Sequence, residues 1–212
     1  LGVGNGTDGL EIALAVLCRE RPGKKLVGCP SHTAVPVVAA ILNVGLIPVF
    51  IDIERDSPNI SDRAVLEFLS QFSEDCLCVI AVHLYGRPCS AISKIVKDCS
   101  SANVSVIEDC SQAHGSRIAG QLVGTFSSVA IFSCYPTKNL GALGDAGVVL
   151  SSDSAFIEQA RCISRYGWIR RNEPVITGRN SRLDPLQAAI LSFFLARLDL
   201  SNIRRRAIAK RY

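Results

Sequence analysis

Apolar residues recur along the chain in two patterns, and each pattern predicts a different kind of element. Between Thr7 and Glu20 they return every three or four residues, which is the spacing of one helix face, and Pro22-Gly23 ends the segment. The same spacing predicts further helices at Val35–Asn43, Arg63–Phe72, Ser90–Ser100, Ala155–Arg165, Asp184–Leu198 and Ile203–Tyr212. Short unbroken apolar runs predict strands at Leu26–Cys29, Pro48–Ile53, Leu77–Val82, Val104–Ile107, Val129–Ser133 and Gly147–Leu150.

The order of these elements predicts an α/β fold. Strands without a polar side alternate with amphipathic helices, which is typical of a mostly parallel sheet covered by helices on both faces. With 212 residues and a hydrophobic content of 48%, the chain is large enough to bury one such core. Ligands of these sheets collect beyond the carboxyl ends of the strands, so the residues that follow the strands are the first candidates for a site.

Composition and charge exclude several classes of partner. The formal net charge is only +4, and Arg204-Arg205-Arg206 has no aromatic residues interleaved with it, so we expect a solvated helix face and no nucleic-acid partner. The longest apolar runs, such as Ala34–Leu42, are too short to span a bilayer, and no signal peptide opens the chain. We therefore expect no membrane partner either.

Nine cysteines are scattered along the chain without a disulfide or zinc pattern. The only close pair is Cys76-x-Cys78, and the three histidines do not fall at ligand spacing, so no metal site is predicted. An odd number of scattered thiols suits the reducing cytoplasm, where we expect the protein to reside. Methionine is absent and the chain opens on a glycine loop, so we expect a piece of a longer protein.

Lys138 has the most distinctive surroundings of any residue in the chain. It lies on a polar, glycine-flanked turn, Ser133–Gly141, that follows a predicted strand. A lysine in such a turn is a poor packing residue, but an amine partly shielded from water can condense with a carbonyl group to form a Schiff base. The hydroxyl of Ser133, five residues earlier, could bind phosphate or could satisfy the backbone of the turn.

A carboxylate follows another predicted strand. Asp109 comes after Val104–Ile107 and either forms a turn or pairs with the pyridine nitrogen of a cofactor, whose ring would then act as an electron sink. Gln112, three residues on, could reach the same ligand. Glu108 alternates away from Asp109, so we expect it to be structural.

A glycine turn, Gly4–Asp8, opens the first predicted helix. Free N–H groups at such a helix start, here those of Gly6, Thr7 and Asp8, can hold a phosphate, although Thr7 or Asp8 could simply cap the helix. The lysine turn, the strand-end carboxylate and this glycine turn are together what a pyridoxal phosphate site requires.

Six motifs resemble, in order and spacing, the DegT/DnrJ/EryC1/StrS sugar aminotransferases. They are GNGTDGL, PVFIDI, AVHLYGRP, IEDCSQAHG, SCYPTKNLGALGDAG and GRNSRLDPLQAAIL. The resemblance covers Leu1 to Tyr212 and implies the aspartate aminotransferase fold, type I, with a seven-stranded sheet. It also implies that residues 1–198 form the cofactor-binding large domain, without its N-terminus, and that residues 199–212 begin a helix leading to a small C-terminal domain outside this sequence.

The resemblance implies a role for each candidate residue. Lys138 would bind pyridoxal 5'-phosphate as a Schiff base, Asp109 would pair with the ring nitrogen, and Gln112 would contact the side of the ring hydroxyl. Asn180 would reach the phosphate in the neighbouring subunit, which makes the active unit a homodimer with shared sites. The phosphate within the same subunit would be held by Gly6, Thr7, Asp8 and Ser133.

The implied activity is the transfer of an amino group from L-glutamate to a nucleotide-linked keto-6-deoxy sugar in amino-sugar biosynthesis for an antibiotic or a polysaccharide. The segments HTAVPVVAAI, RYGW and GRNSRLDPLQ resemble the branch that acts on dTDP-linked 3-keto sugars. A 4-keto sugar aminotransferase and a non-catalytic, cofactor-binding regulatory relative are the alternatives. A dehydratase fits less well, because Lys138 is present where some dehydrating relatives carry histidine.

One position departs from the pattern of the family. Many members place an aromatic residue after the threonine of the first strand–helix loop, where it stacks on the cofactor ring. Here Thr33 is followed by Ala34. Either His32 or no residue is therefore expected to cover that face of the cofactor.

Overall fold

A seven-stranded sheet forms the centre of the chain in a computed structural model that describes residues 1–212. Its strands are β1 (Gly2–Val3), β2 (Leu26–Pro30), β3 (Ile47–Ile51), β4 (Cys76–Val82), β5 (Ser105–Asp109), β8 (Val129–Ser133) and β9 (Gly147–Ser151). Two hairpins lie outside this sheet, one of β6 (Arg117–Ile118) with β7 (Gln121–Leu122) and one of β10 (Trp168–Arg170) with β11 (Glu173–Pro174).

The strands of the sheet lie in the order β1-β9-β8-β5-β4-β2-β3. Neighbouring strands from β8 to β3 are parallel, whereas β9 is antiparallel to both of its neighbours, β8 and β1. Six strands therefore run in one direction and only β9 runs against them. This arrangement confirms the predicted α/β fold with a mostly parallel seven-stranded sheet, and it brings the carboxyl ends of β4, β5 and β8 to one edge.

Helices cover both faces of the sheet, as the alternation of elements predicts. The helices are α1 (Gly6–Glu20), α2 (Val35–Asn43), α3 (Asp62–Phe72), α4 (Ile92–Ser101), α5 (Ser154–Ile163), α6 (Pro185–Leu195) and α7 (Leu198–Ala209), and Leu84–Gly86 forms a single 3-10 turn. One buried apolar cluster joins α1, α2 and α5 to the sheet, and a second joins α3 and α4 to it. The two clusters are the two cores of a three-layer structure.

Two helices are predicted in this region, at Asp184–Leu198 and Ile203–Tyr212, and the break between them lies earlier in the chain than predicted. Helix α6 ends at Leu195, and α7 begins at Leu198, earlier than the predicted helix Ile203–Tyr212. The Arg197 guanidinium donates to the carbonyl oxygen of Phe193 at 2.9 Å and lies 3.8 Å from the centre of the Phe193 ring. A cation that satisfies a terminal carbonyl stabilises the end of a helix, so this contact favours the end of α6 at Leu195.

Other boundaries differ by a few residues. Strand β3 ends at Ile51 and not at Ile53, because Ile53 forms an isolated antiparallel bridge with Ile60. Helix α5 begins at Ser154, where the Asp153 side chain accepts hydrogen bonds from two backbone N–H groups of the first turn. The sequence patterns predicted neither hairpin, since each of their strands has only two or three residues.

No single helix is long and apolar enough to cross a membrane. Only α6 and α7 taken together reach the required length and composition, and the two are bent by 64° at the break between them.

Candidate active site

A cavity of about 450 Å³ opens at the edge of the sheet where β4, β5 and β8 end. The first turns of α1 and α2 form its other walls. Seven of the eight residues predicted to bind a cofactor line this one cavity, and they are Gly6, Thr7, Asp8, Asp109, Gln112, Ser133 and Lys138. Residues up to 132 positions apart in sequence are therefore brought together by the sheet topology.

Asp109 is the last residue of β5, between β4 and β8 in the middle of the sheet. It is 5% exposed. Its Oδ1 accepts a hydrogen bond from the backbone N–H of Ser111 at 2.9 Å, and its Oδ2 has no hydrogen-bond partner in the chain. One oxygen therefore fixes the orientation of the carboxylate and the other remains available to a ligand.

Lys138 lies in a loop whose two ends are tied together. The N–H of Cys134 donates to the carbonyl of Ala146, and the N–H of Ala142 donates to the carbonyl of Cys134, each at 2.8 Å. Within the loop, the N–H of Lys138 donates to the carbonyl of Tyr135 at 2.9 Å. The Nζ of Lys138 belongs to none of the ion pairs of the structure, so the amine is free for a ligand in the cavity.

The start of α1 lies directly against the end of β8. A side chain at Gly6 would place its Cβ 2.7 Å from the Cβ of Ser133, so only glycine permits this approach. The N–H groups of Gly6 and Thr7 are in the first helical turn and have no acceptor four residues earlier in the helix. Together with the hydroxyl of Ser133 they form a cradle suited to a phosphate.

Asp8 also lines the cavity, but its hydrogen-bonding groups are engaged elsewhere. Its N–H donates to the side chain of Asn5, the N-cap of α1, at 2.8 Å. Its carboxylate pairs with Arg179 at 2.8 Å and accepts a hydrogen bond from Ser181 at 2.6 Å. These contacts leave Asp8 no free donor for a phosphate and give it the role of joining α1 to the segment after β11.

Gln112 and Tyr85 form a second polar contact at the cavity. The backbone N–H of Tyr85 donates to Oε1 of Gln112 at 2.7 Å, which leaves the Nε2 donor of Gln112 without a partner in the chain. Tyr85 has a φ of +58°, in the left-handed region that non-glycine residues rarely adopt. The same residue, Tyr85, therefore has a strained backbone and orients the side chain of Gln112 through its N–H group.

Asn180 does not line the cavity of its own chain. It is exposed and forms an isolated antiparallel bridge with Arg165. On the opposite wall of the site, Ala34 lines the cavity and His32 does not. The ring of His32 instead lies 3.1 Å from the hydroxyl of Tyr85, measured from its Nε2.

His83, Glu108 and Cys110 form a buried cluster of groups that can ligate metals. The N–H of Cys89 donates to Nδ1 of His83 at 2.9 Å, so Nε2 carries the ring proton and donates to Glu108 at 3.0 Å. Glu108 also accepts hydrogen bonds from the backbone N–H groups of Gly124, Phe126 and Ser127. Its engaged oxygens assign Glu108 a structural role, as predicted from its alternation with Asp109.

Two pKa shifts in this cluster support the structural role. Burial alone would raise the pKa of Glu108, but hydrogen bonds from His83 and from two backbone N–H groups outweigh burial and hold it below its usual value. Burial raises the pKa of the Cys110 thiol well above its usual value. The carboxylate is thus stabilised by protein donors, and the neutral thiol is a weak ligand for a metal.

His114 lies beneath the lysine loop and is almost fully buried, and neither ring nitrogen has a hydrogen-bond partner. Burial, and after it the positive charge of Lys138, lower its pKa to about 4. The ring packs against Phe132, with a centroid separation of 5.4 Å. The imidazole is therefore neutral at neutral pH and adds no charge beside the amine.

Sequence reasoning missed one residue that joins two parts of the site. Besides donating its N–H to Asp109, Ser111 accepts a hydrogen bond through Oγ from the N–H of Ser133 at 3.1 Å. The Asp-x-Ser spacing after a strand is typical of a turn in which the aspartate side chain accepts a hydrogen bond two residues on. That local signal could have indicated the contact with Asp109, but not the contact with Ser133.

The chain is similar over its whole length to curated proteins. A Streptomyces venezuelae protein named dTDP-3-amino-3,4,6-trideoxy-alpha-D-glucose transaminase is 36% identical over 212 residues, which are 100% of this chain and 54% of that protein. The Saccharopolyspora erythraea protein named erythromycin biosynthesis sensory transduction protein EryC1 is 37% identical over 210 residues, 99% of this chain and 56% of that protein. The chain thus spans about half the length of these relatives.

A solved structure and a family model agree with this similarity. The crystal structure of DesV from S. venezuelae in complex with a ketimine intermediate is 36% identical and has a TM-score of 0.91, covering 99% of this chain and 55% of that one. The model of the DegT/DnrJ/EryC1/StrS aminotransferase family matches residues 1–212. The resemblance predicted from the motifs is confirmed, and the chain belongs to the DegT/DnrJ/EryC1/StrS aminotransferase family.

Proposed function

We propose that this chain forms the cofactor-binding part of an aminotransferase that uses pyridoxal 5'-phosphate and acts on a nucleotide-linked keto sugar. Its family depends on pyridoxal phosphate. The observation that carries the proposal is the convergence of Lys138, Asp109 and the Gly6–Ser133 contact on one cavity. An amine, a carboxylate and a phosphate cradle are the groups that would hold the aldehyde, the ring nitrogen and the phosphate of this cofactor.

The free polar groups of the cavity fit the cofactor. The N–H groups of Gly6 and Thr7 and the hydroxyl of Ser133 would hold the phosphate, in the space that a side chain at position 6 would fill. Oδ2 of Asp109, which has no partner in the chain, would accept a hydrogen bond from the ring nitrogen. Nε2 of Gln112 would donate to the ring hydroxyl, since its Oε1 is already engaged.

The chain's own residues would position the reacting groups and move the proton. When bound, the cofactor supplies an electron sink and carries the amino group from one substrate to the other. Nζ of Lys138 would anchor the cofactor and then act as the base that takes a proton from the α-carbon of the amino donor, which we propose to be L-glutamate. The side chains of Leu10, Val82 and Leu84 line the cavity and limit the access of water.

For the acceptor we propose a dTDP-linked 3-keto-6-deoxy sugar. The support is the similarity to a Streptomyces venezuelae protein whose name is that of a dTDP-3-amino sugar transaminase. The segments RYGW and GRNSRLDPLQ, which resemble the branch acting on 3-keto sugars, point the same way. A 4-keto sugar is the alternative, and product analysis with both acceptors decides between them.

The test is a two-stage assay of the purified protein loaded with pyridoxal phosphate. L-Glutamate alone should release one 2-oxoglutarate per site, and a dTDP-3-keto-6-deoxy sugar added next should yield the amino sugar by mass spectrometry. Lys138→Ala should lose both turnover and the visible absorbance of the lysine-bound cofactor, and Lys138→Arg, which keeps the positive charge, should behave in the same way. Full activity in either variant would rule out the proposed function.

A cofactor-binding regulator without turnover is the second candidate. The EryC1 relative, which carries the name of a sensory transduction protein, favours it. The first stage of the assay separates the two candidates, because a regulator would bind the cofactor through Lys138 without releasing 2-oxoglutarate from glutamate.

We propose a homodimer with shared sites, located in the cytoplasm. Asn180 is exposed and lies outside the cavity of its own chain, so it is available to the site of a partner subunit. Nine unpaired cysteines suit a reducing compartment. Large apolar side chains exposed on α6 and α7 are expected to be buried by further protein, and they are Leu186, Phe193, Phe194, Leu195, Leu200 and Ile203.

A further inference from the structure

Asn202 on α7 is a buried polar residue far in sequence from the site, and both ends of its side-chain amide are used. Its Oδ1 accepts a hydrogen bond from Nδ2 of Asn139 at 2.9 Å. Its Nδ2 donates to the carbonyl oxygen of His114 at 2.8 Å. The residue is 7% exposed, so water does not replace these partners at low cost.

The two partners of Asn202 belong to the two segments that carry the proposed catalytic groups. Asn139 directly follows Lys138, in the loop tied at Cys134 and Ala146. His114 is two residues after Gln112 and five after Asp109, in the segment that leaves β5. A single planar amide, with its donor and acceptor at fixed separation, therefore links the lysine segment to the carboxylate segment.

The backbone around this contact is shaped to admit α7. Gly115 has a φ of +78°, and a Cβ at this position would lie 2.9 Å from Nδ2 of Asn202. The buried side chain of Leu198, at the start of α7, lies 3.6 Å from the same Cβ position. A glycine is thus required next to His114 both by its backbone conformation and by the approach of the amide.

We propose that Asn202 is a positioning residue that fixes the Lys138 segment relative to the Asp109–Gln112 segment and so sets the environment of the lysine amine. The inference rests on the proposed function of the same cavity. Asn202 does not line that cavity and acts only through Asn139 and His114. Loss of its amide leaves the buried carbonyl of His114 and the half-buried side chain of Asn139 without these partners, and it frees the two segments to shift relative to each other.

Substitutions at position 202 separate the two hydrogen bonds. Asn202→Asp keeps the shape and the acceptor toward Asn139, but it replaces the donor that faces the carbonyl of His114 with an oxygen. Asn202→Ala removes both bonds. Asn139→Ala removes only the bond on the lysine side, and adding it to Asn202→Ala should cause little further change, because the two residues act through one contact.

Three measurements distinguish positioning from a contribution to stability alone. They are the pH midpoint of the visible absorbance of the lysine-bound cofactor, the Kd for pyridoxal phosphate, and the thermal midpoint of the cofactor-free protein. Asn202→Ala and Asn202→Asp should move the pH midpoint by about half a unit or more and raise the Kd about tenfold, as expected when the support of a site group is lost. Restoring the amide with Asn202→Gln should recover part of both shifts.

Ile95→Val is the matched control for a loss of stability. Ile95 is fully buried in the core between α4 and the sheet, away from the cavity, so this variant should lower the thermal midpoint by about 2–4 °C without moving the pH midpoint or the Kd. Asn202 variants that melt earlier but keep the parent pH midpoint and Kd would overturn the positioning role. A parent protein without lysine-dependent absorbance would instead overturn the proposed function itself.

Discussion

The two oxygens of the Asp109 carboxylate have different surroundings. Oδ1 is held by the N–H of Ser111, and Ser111 in turn accepts a hydrogen bond from the N–H of Ser133 at the phosphate cradle. One serine therefore relates the orientation of the carboxylate to the position of the cradle. The ring nitrogen and the phosphate of a bound cofactor would be placed by a single connected set of hydrogen bonds, made by the short side chains of Asp109 and Ser111.

His114 predicts how the stability of the cofactor-free protein depends on pH. The pKa of His114 is about 4 in the folded protein, below its usual value, so the unfolded chain binds a proton more readily between about pH 6.5 and pH 4. Above pH 6.5 the ring is neutral in both the folded and the unfolded chain and makes no difference to stability, whereas the folded protein loses stability as the pH falls from about 6.5 to 4. A pKa difference of this size corresponds to about 3 kcal/mol.

His114→Phe should reduce this loss, because the variant has no group to protonate at that position and can still pack on Phe132. Urea unfolding of the cofactor-free protein at pH 7 and at pH 4.5 measures the difference in free energy of unfolding. His32→Phe, at an exposed position, is the control for the change of side chain. An equal loss of stability in the His114→Phe variant and in the parent would contradict the assignment.

Some residues of the site are visible in the sequence because their signal is local. Lys138 and Asp109 each lie in a short polar segment directly after an apolar strand, and the topology of a parallel sheet brings such segments together. The hydrogen bond from Tyr85 to Gln112 and those of Asn202 join residues that are 27 to 88 positions apart. No spacing rule predicts these pairs, because they depend on how the elements pack.

The phosphate cradle depends on the close packing of the start of α1 against the end of β8. Gly6 permits this packing, and so does Gly147, because a Cβ at Gly147 would lie 2.5 Å from the backbone of Asn5, the N-cap of α1. The positive end of the α1 dipole is thereby held against Ser133 at the end of β8, where the loop that carries Lys138 begins. Two glycines set the distance between the helix start and the strand ends.

Gly6→Ala should therefore weaken cofactor binding. The new Cβ would meet the Cβ of Ser133 at 2.7 Å, and separating α1 from β8 should cost about 1–3 kcal/mol of stability and raise the Kd for pyridoxal phosphate about tenfold or more. Thermal unfolding of the cofactor-free protein and a cofactor titration give the two quantities. An unchanged Kd would mean that the start of α1 does not hold the phosphate.

Two further variants complete this experiment. Adding Ser133→Gly to Gly6→Ala removes the nearest clashing atom and leaves the Cα of residue 133 at 3.2 Å, so part of the stability should return. The affinity for the cofactor should stay low, because the hydroxyl of Ser133 is lost. Gly144→Ala is the control for a glycine-to-alanine change, since its Cβ would meet only the side chain of Gln187, at 3.2 Å.

Secondary structure is predicted well where an element is long and its periodicity is clear. The predicted bounds of α2 and of β8 agree with the structure, and those of most other sheet strands differ by one or two residues. The apolar pattern predicts two helices at the end of the chain but places their break after Leu198, whereas the structure places it after Leu195. The contact of the Arg197 guanidinium with Phe193 stabilises the observed end of α6, and apolar periodicity does not report such a contact.

On the scale of the whole molecule, large apolar side chains of α6 and α7 are exposed to solvent, where folded proteins usually bury them. Phe193, Leu195 and Leu200 are each more than half exposed on α6 and α7. Asn180 lies in the segment between β11 and α6 and is also exposed. A dimer that covers α6 and α7 and places Asn180 at the partner's cradle would account for both observations.

Mixing two inactive variants tests the shared site directly. Lys138→Ala and Asn180→Ala homodimers should each be impaired at both sites, but a mixed dimer would have one site with both residues intact. Refolding equal amounts together should restore about one quarter of the parent activity, as random pairing of subunits predicts. Activity that stays at the average of the two separate variants would show that each site is complete within one chain.

The reversed direction of β9 has a consequence for how this scaffold can vary. Strand β8 ends at the edge of the sheet beside the cavity, and the antiparallel strand β9 begins at the same edge. The segment between Cys134 and Ala146 is therefore a loop whose two ends are neighbours in space. Residues can be added to or removed from such a loop without changing the order or register of the strands. A change in the length of this segment would therefore move the Lys138 amine relative to the cavity and leave the sheet unchanged.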